Sequence, residues 1–345
     1  MYNNKLLVRL CEERNIKDNT IRGYITSLKS YTTYCNMSLE QLLSEAILDE
    51  QKLLLKNRHI KKHLIDYRSF LIKKGVATST IKNYMSKIKT FYKHYEIEIP
   101  ELPPVKYKKE YVVNYKDLPS KKDIRKVLDI VPLDFKALIL FMSSSGTAKA
   151  ETLSLTVKDF FDATSDYHNT KSINGFLSEL SLKDTVIPTF YVKRRKTDKY
   201  YFTFCSSEAS SAIVQYLKTR DRLSFEDKLF PFTDSLVIKK FEQINDYMGW
   251  GFKGHYRFFR SHSLRKFHAS NIGLSTEIID ELQGRSKNNI HETYIKTDPK
   301  KLKEKYLKNM HNILIYPFEK EIENNSEDII ININIFLGDS HLNIL

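Results

Sequence analysis

The sequence predicts a mainly α-helical protein with a small β-hairpin or sheet, divided into an N-terminal helical bundle and a mixed α/β domain. Glycine and proline are scarce, at 10 and 9 of 345 residues, which favours helices over tight turns. Long stretches repeat apolar residues at the i, i+3, i+4, i+7 spacing of an amphipathic helix. Prolines are dense only between residues 100 and 119, where they divide the chain.

The charge and the cysteines limit the class of protein. A net charge of +14 and a pI near 9.3 indicate a polyanionic partner, although charge alone does not distinguish DNA, RNA and an anionic membrane. No apolar run approaches the 18 to 20 or so residues of a membrane span, and the N-terminus lacks a signal-peptide pattern. Cys11, Cys35 and Cys205 lack metal-ligand spacing. We therefore expect a cytoplasmic protein with reduced thiols and no membrane partner.

The first domain, predicted over residues 1–104, contains two similar helical segments sixty residues apart. Residues 20–35 and 80–95 share the Thr-Ile-x-x-Tyr start and the same apolar spacing. Two further helices are predicted between them, at about 39–55 and 59–74. Four or five such helices form a small bundle.

That bundle is strongly basic. Between residues 51 and 95 there are twelve Lys or Arg residues and one acid, Asp66. A merely solvated helix surface usually mixes both signs, so the pattern favours contact with a phosphate backbone. The candidate DNA-binding residues are Arg58, Lys61, Lys62, Lys82, Lys87 and Lys89.

A basic, proline-containing linker is predicted at 105–119, followed by a second domain at 120–312 and a C-terminal tail at 313–345. In the second domain we predict helices at 120–131, 133–143, 207–219 and 234–248. Residues 156–186 suggest a partly stranded insertion. Strands at 187–195 and 200–205, joined by 196–199, predict the hairpin. The tail either docks on a neighbouring protomer or stays disordered.

The stretch from His262 to Tyr294 has the clearest chemical interpretation. His262 and Arg265 are three residues apart, so on a helix they share a face, and two donors on one face suit a phosphate. Arg285 follows a short apolar helix that Gly284 is placed to end. Tyr294 lies nine residues further on. Taken singly, such residues are more often surface charges or half-buried aromatics, so the joint spacing supports the interpretation.

This spacing resembles the C-terminal signature of the tyrosine recombinases, the phage-integrase family. In that family His-x-x-Arg is followed by Leu-Gly-His or a variant, and then by the nucleophilic tyrosine. Here the middle triplet reads Gln283-Gly284-Arg285, so an arginine replaces the family's His or Trp. The resemblance covers roughly residues 15–312. It implies a core-binding helical bundle followed by the mixed α/β catalytic domain of these enzymes.

A second motif departs from the family. Residues 146–155 resemble Gly-x-Arg-x-x-Glu-Leu-x-x-Leu, in which the arginine contacts the scissile phosphate and the glutamate supports the fold. Glu151 matches, but Ala148 occupies the arginine position and Lys149 is the adjacent cation. Lysine lacks the fork with which arginine holds two phosphate oxygens. Either Lys149 supplies the charge after a one-residue adjustment, or the site works with fewer cations, or it is impaired.

The hairpin turn carries a third match. The family places a catalytic lysine there, typically in a Lys-Thr pair, and Lys196-Thr197 fits that pattern. An ordinary basic turn is the alternative interpretation. We favour Lys196 over Lys199 and expect Arg194 and Arg195 to contact the DNA backbone.

The resemblance implies a metal-free transesterification without a cofactor. Tyr294 would attack the scissile phosphate and form a 3′-phosphotyrosyl link. Arg265, Arg285 and Lys149 would neutralise the phosphorane, His262 would manage a proton, and Lys196 would protonate the 5′-oxygen. The implied partners are double-stranded DNA, a homo-tetramer built from two dimers, and accessory DNA-bending proteins, in a prokaryotic cell or encoded by a mobile element or virus. The rival is a DNA-binding protein with this fold and no catalysis.

Overall fold

Helices dominate both parts of the chain. The computed structural model describes residues 4–107, 111–285 and 298–316, and the chain separates into two units, residues 1–112 and the part that begins at Val113. The prediction of a mainly α-helical protein with a small β-hairpin is confirmed. The roles predicted for the two units stay predictions. Among the described helices, none has the length and apolar character needed to cross a bilayer.

The first unit has its own hydrophobic core. Its helices are α1 (Lys5–Glu13), α2 (Asp18–Cys35), α3 (Leu39–Lys52), α4 (His59–Lys73) and α5 (Thr78–His94). The two segments with similar sequences, α2 and α5, pack on each other, and the hydroxyls of Tyr31 and Tyr92 lie 3.3 Å apart. Lys87 crosses over Gly23, where an added Cβ would lie 2.5 Å from its Nζ. A larger residue at position 23 would therefore displace that lysine.

The second unit is built around α7, which is buried on nearly every side. The described elements are α6 (Lys121–Ile130), α7 (Leu133–Ser145), α8 (Lys149–Thr152), α9 (Val157–Ala163), α10 (Ile173–Ser181), β1 (Thr189–Lys193), β2 (Tyr200–Phe204), α11 (Ser207–Lys218), α12 (Asp234–Tyr247), β3 (Phe252–Lys253), β4 (Tyr256–Arg257), α13 (Ser261–Asn271), α14 (Thr276–Leu282) and α15 (Pro299–Asn309). Helix α7 packs against both α11 and α13. The continuous apolar run of α7 therefore forms the centre of the core.

The predicted hairpin forms. Strands β1 and β2 pair antiparallel, with Thr189 opposite Phe204 and Lys193 opposite Tyr200. The side chains alternate, so that Phe190 and Val192 enter the core. Residues 194–199 form the turn that joins the strands.

The prediction of a partly stranded insertion at 156–186 is wrong. This segment forms α9 and α10 with a short 3₁₀ turn between them. A capping box starts α9, in which the Thr156 side chain accepts from the Asp159 backbone N–H and the Asp159 carboxylate accepts from the Thr156 N–H. Phe160 and Phe176 then bury one face of each helix. The local cap and the apolar face of each helix therefore determine the structure of this segment.

The start of the predicted tail belongs to the second unit. Ile313, Leu314 and Ile315 are buried. The Glu208 carboxylate accepts from the backbone N–H groups of Ile315 and Tyr316, at 2.9 and 2.6 Å. The rest of the tail, from residue 317, lies outside the described residues, as does the repeating Ile/Asn stretch.

Candidate active site

Helix α13 presents His262 and Arg265 on one side, as the spacing predicts. The helix begins where the backbone N–H of Arg260 donates to Ser263 Oγ at 2.9 Å. Arg265 points inward and is 6% exposed, whereas His262, one turn earlier, stays at the surface. One face of the helix therefore carries a buried guanidinium and an accessible imidazole.

Arg265 joins the ends of two other helices. Its Nη1 donates to the carbonyl oxygen of Gly146 at 2.7 Å, after the end of α7. Its Nη2 donates to the carbonyl oxygen of Gln283 at 2.7 Å, after the end of α14. Burial lowers the pKa of Arg265 to about 10, and repulsion from Arg194 and Arg285 adds to the shift. The guanidinium thus stays charged at neutral pH, and its hydrogen bonds to the described residues all go to backbone carbonyls.

Both of these helix ends depend on a glycine. Gly146 and Gly284 have φ of +65° and +59°, the left-handed conformation in which a side chain is strained. A Cβ on Gly146 would lie 2.6 Å from Nδ1 of His268. A Cβ on Gly284 would lie 2.5 Å from the ring of Tyr201. The prediction that Gly284 ends α14 and turns the chain toward Arg285 is confirmed.

Gln283 and His268 support Arg265 from behind. The Gln283 amide Nε2 donates to the carbonyl oxygen of Arg265 at 3.1 Å and lies 3.0 Å from Nδ1 of His268. Because Nε2 of Gln283 is a donor, Nδ1 of His268 accepts and the imidazole proton lies on Nε2. Burial lowers the pKa of His268 to about 3, followed by repulsion from Arg265 and Arg285. A neutral, fixed His268 therefore orients the amide that holds the Arg265 backbone.

His262 is surrounded by cations. Partial burial of the imidazole, followed by repulsion from Arg260, Lys266, Arg265 and Arg285, lowers the pKa of His262 to about 4. The ring is therefore neutral at pH 7 and can both accept and donate. An anion bound among these cations would raise that pKa again, because it would compensate the repulsion.

Arg285 reaches the same region from the end of α14. Its backbone N–H donates to the carbonyl oxygen of Asp280 at 2.7 Å, and its Nη1 lies 3.1 Å from Asp280 Oδ1. The side chain is exposed. The structure thus brings His262, Arg265 and Arg285 within electrostatic range of one another.

A group of buried polar atoms surrounds Arg265 without hydrogen-bond partners among the described residues. These atoms are Glu151 Oε2, Arg194 Nε, Tyr201 Oη, His268 Nε2 and Gln283 Oε1. Buried polar atoms are normally paired, so such a group calls for a specific explanation. Three of these atoms, Arg194 Nε, Tyr201 Oη and His268 Nε2, can donate a hydrogen bond, whereas Glu151 Oε2 and Gln283 Oε1 can only accept one. Sequence reasoning gave no role to Tyr201, His268 or Gln283, because their contacts arise only from the packing of α13, α14 and β2.

Ala148 and Lys149 begin α8, close to Gly146. Ala148 is the N-cap residue and offers no side-chain hydrogen bond. Lys149 Nζ forms an ion pair with Asp234 Oδ1 at 2.8 Å, at the start of α12, and the Asp234 side chain is 63% exposed. In this arrangement the Lys149 charge is directed to Asp234 rather than to the group around Arg265.

The hairpin turn divides its basic residues between the surface and the interior. Arg195 and Lys196 are exposed at the turn. Arg194 is half-buried, and its Nη1 donates to the carbonyl oxygen of Gln283 at 3.0 Å and to that of Gly284. Arg194 was expected to be a surface contact to the DNA backbone, and the structure instead places it beside Arg265.

The basic residues of the first unit are not equivalent. Arg58 is only 11% exposed in its side chain and forms an ion pair with Glu50 at 2.6 Å, so it holds the fold and is not free for phosphate. Lys87 donates to Asn83 Oδ1 at 2.9 Å. The remaining candidates are exposed or half-exposed on α4 and α5: Lys61, Lys62, Lys82 and Lys89.

The described residues contain neither a candidate metal site nor the predicted nucleophile. Within the described ranges, no group of three His, Cys, Asp or Glu side chains is arranged to hold a metal ion. Tyr294, the predicted nucleophile, lies outside the described residues. Its placement relative to Arg265 therefore stays a prediction.

Solved structures share this fold. A lambda integrase tetramer bound to a Holliday junction is 12% identical, with 84% of this chain and 76% of that chain covered and a TM-score of 0.55. The Tn1549 transposon integrase in complex with a circular intermediate DNA is 13% identical over 88% of this chain and 98% of that chain, with a TM-score of 0.54. No protein-family model and no curated protein sequence matches the chain. The chain has the tyrosine-recombinase fold, as the sequence motifs predict.

Proposed function

We propose that this chain is a site-specific DNA recombinase that cuts and rejoins duplex DNA through a 3′-phosphotyrosyl intermediate. The observation that carries the proposal is Arg265, a buried guanidinium held by backbone carbonyls, without a carboxylate partner among the described residues. His262 and Arg285 lie within its electrostatic range. A buried cation without a counterion is costly, so the arrangement suits a site built to bind an anion.

The proposed chemistry assigns one role to each residue. The Tyr294 phenol attacks the scissile phosphorus, and the bond to the 5′-oxygen breaks. Arg265 and Arg285 neutralise the charge that develops on the phosphorane. His262, neutral at pH 7, accepts and returns a proton. Lys196, at the exposed hairpin turn, donates a proton to the departing 5′-oxygen. The reverse attack by a 5′-hydroxyl rejoins a strand and releases Tyr294.

The proposed substrate is double-stranded DNA, bound by a tetramer. The lambda and Tn1549 integrases were solved with DNA, and one lambda integrase structure is a tetramer on a Holliday junction. The +14 net charge of this chain fits such a polyanion. To test the proposal, duplexes that bind the protein are first selected from a randomised pool. Each selected duplex is then nicked beside one phosphate at a time and incubated with the protein. A covalent adduct that survives denaturant is expected, and its absence at every position would contradict recombination.

The second candidate is a binding protein with this fold and no catalysis. Ala148, where the family has an arginine, and the ion pair that holds Lys149 favour it. Tight binding of the selected duplexes without any adduct would support this alternative.

A fragment of residues 1–112 is expected to bind DNA with strong salt dependence. The fragment has its own core, and its basic residues on α4 and α5 would release counterions from phosphates. If five of them contact phosphates, log K falls against log[salt] with a slope of about −4.5, or roughly 500-fold between 50 and 200 mM. Fluorescence anisotropy with a labelled duplex measures this slope.

A charge-matched pair of variants locates the surface. Replacing both Lys62 and Lys82 with Gln should flatten the slope by about 1.8. Replacing Lys5 and Lys29 with Gln, two exposed lysines outside this surface, should leave it nearly unchanged. Equal effects of the two double variants would show that the binding surface is misassigned.

Replacing Lys149 with Ala is expected to slow cleavage by about 100- to 1000-fold, the usual loss for one preorganised donor. An ion pair with an exposed Asp234 is worth only about 0–1 kcal/mol, so a bound phosphate can compete for Lys149. Rates of adduct formation at saturating DNA measure the effect. Ala148→Arg should preserve or raise the rate. If Lys149→Ala cleaves at the parental rate, Lys149 has no role in catalysis and only forms its ion pair with Asp234.

A further inference from the structure

Two arginines from different elements meet at one backbone oxygen. Arg194, from the hairpin turn, donates from Nη1 to the carbonyl oxygen of Gln283 at 3.0 Å. Arg265, from α13, donates from Nη2 to the same oxygen at 2.7 Å. A single carbonyl that accepts from both groups places the two guanidiniums side by side.

The local charge is unbalanced. Among the described residues, neither Arg194 nor Arg265 lies within ion-pair distance of a carboxylate. Glu151 is the nearby buried acid, and its Oε2 has no described partner either. In the buried part of the site, the two guanidiniums of Arg194 and Arg265 therefore face one carboxylate, and like charges repel more strongly there than in water. An anion placed between them would remove this repulsion.

Arg194 also keeps donors for such an anion. Its Nη1 is fixed by the carbonyls of Gln283 and Gly284, which hold the guanidinium plane in place. Its Nε is buried without a described partner. A guanidinium fixed on one edge with a free N–H on another suits a tetrahedral phosphate, which accepts from two donors at once.

We propose, on the basis of the proposed function, that Arg194 is a further phosphate-binding guanidinium of the site and contacts the scissile phosphodiester beside Arg265. It takes the role that Ala148 leaves open. Lys149 offers a single point charge, and Arg285 is exposed and paired with Asp280. Arg194 therefore supplies a half-buried guanidinium that can donate two hydrogen bonds to one phosphate, which neither Lys149 nor the exposed Arg285 does.

Position 148 provides the critical test, because it approaches the same guanidinium from another element. Gly146, two residues earlier, accepts from Arg265 through its carbonyl oxygen. An arginine at 148 would start at the helix α8 N-terminus and could extend toward the phosphate that Arg265 holds. An arginine at position 148 and the natural arginine at position 194 would thus place a guanidinium at the same phosphate.

Arg194→Ala is expected to lower the rate of adduct formation about 100- to 1000-fold at saturating DNA. Adding Ala148→Arg to Arg194→Ala should recover at least about tenfold of that loss, since it returns a guanidinium to the phosphate. Lys193→Ala, which removes an exposed cation from the same hairpin, is the control and should leave the rate at saturation nearly unchanged. A parental rate in Arg194→Ala would overturn the proposal.

A structural role for Arg194 predicts a different pattern. If Arg194 only supports the Gln283–Gly284 turn, Arg194→Ala should lower the melting temperature, and Ala148→Arg should not restore cleavage. Such a result would also overturn the proposal. Arg194→Lys adds a further check, because lysine keeps the charge but loses the fork, and a partial loss of rate is expected.

A readout without cleavage separates this inference from the proposed function. Inorganic phosphate should raise the melting temperature of the full chain relative to chloride at equal ionic strength, because binding to the folded state stabilises it. Arg194→Ala should reduce that increase and Lys193→Ala should not. If the parent forms no adduct but shows this pattern of melting temperatures, the proposed recombinase function is contradicted and the proposed phosphate site is supported. If phosphate stabilises parent and Arg194→Ala equally, the phosphate site fails even where adducts form.

Discussion

Replacing Tyr294 with phenylalanine is expected to abolish the covalent protein–DNA adduct while duplex affinity stays within a few fold of the parent. Only the nucleophilic oxygen is lost, whereas the cations that bind phosphate remain. A free phenol has a pKa near 10, so in the proposed mechanism attack at neutral pH depends on the cations Arg265 and Arg285 and on the neutral His262 as proton acceptor. Denaturing gels of labelled, nicked duplex measure the adduct, and anisotropy measures the affinity.

Two other tyrosines provide controls for that experiment. Tyr306 is fully buried and donates to the carbonyl oxygen of Ser144 at 2.9 Å, and burial raises its pKa well above the usual value. It is therefore unsuited to attack a phosphate. Tyr256 is exposed, and the Arg260 guanidinium lies 4.2 Å from the centre of its ring. Tyr256→Phe should leave adduct formation intact. An adduct that persists in Tyr294→Phe but disappears in Tyr256→Phe would identify Tyr256 as the nucleophile.

Local patterns predicted most of the fold. The repeated apolar spacing located α2 and α5, and the packing of Tyr31 against Tyr92 follows from the residues that the spacing placed on one face. The hairpin followed from β-branched and aromatic residues on both sides of a polar turn. Gly284 indicated the end of α14 because a left-handed residue is needed there. Each of these features depends on residues close in sequence.

Features that depend on distant residues escaped prediction. Arg58 looked like a surface cation, because nothing in the sequence shows that Glu50 pairs with it and buries it. Arg194 looked the same as Arg195, yet only Arg194 turns inward, toward carbonyls some ninety residues later in the chain. Residues 156–186 were predicted to be partly stranded, whereas a capping box at Thr156 starts a helix there. Charge and composition thus predict a basic surface, but they do not predict which of its Lys and Arg side chains are already held by hydrogen bonds or ion pairs within the fold.

The site itself was predicted in part. The spacing of His262, Arg265 and Arg285 predicted that they share a region, and the described residues place them within electrostatic range of one another. It did not reveal that backbone carbonyls of Gly146 and Gln283 hold Arg265, because helix ends provide those carbonyls only after folding. The departure at Ala148 was visible in the sequence. The neighbouring guanidinium from Arg194 was not, since the hairpin and α14 come together only in three dimensions.

Arg265→Lys is expected to slow adduct formation about 100- to 1000-fold at saturating DNA, equivalent to about 2.7–4 kcal/mol of lost transition-state stabilisation. Lysine keeps the positive charge but loses the planar guanidinium, whose two Nη atoms reach the Gly146 and Gln283 carbonyls separately and leave further N–H groups for a phosphate. Arg260→Lys makes the same chemical change just before α13, at a half-buried arginine over the Tyr256 ring, and should alter the rate far less. Single-turnover rates of adduct formation, with circular dichroism to confirm folding, separate lost chemistry from lost structure. If Arg265→Lys folds and cleaves at the parental rate, Arg265 is a structural link between α7 and α14, and phosphate binding belongs to other cations.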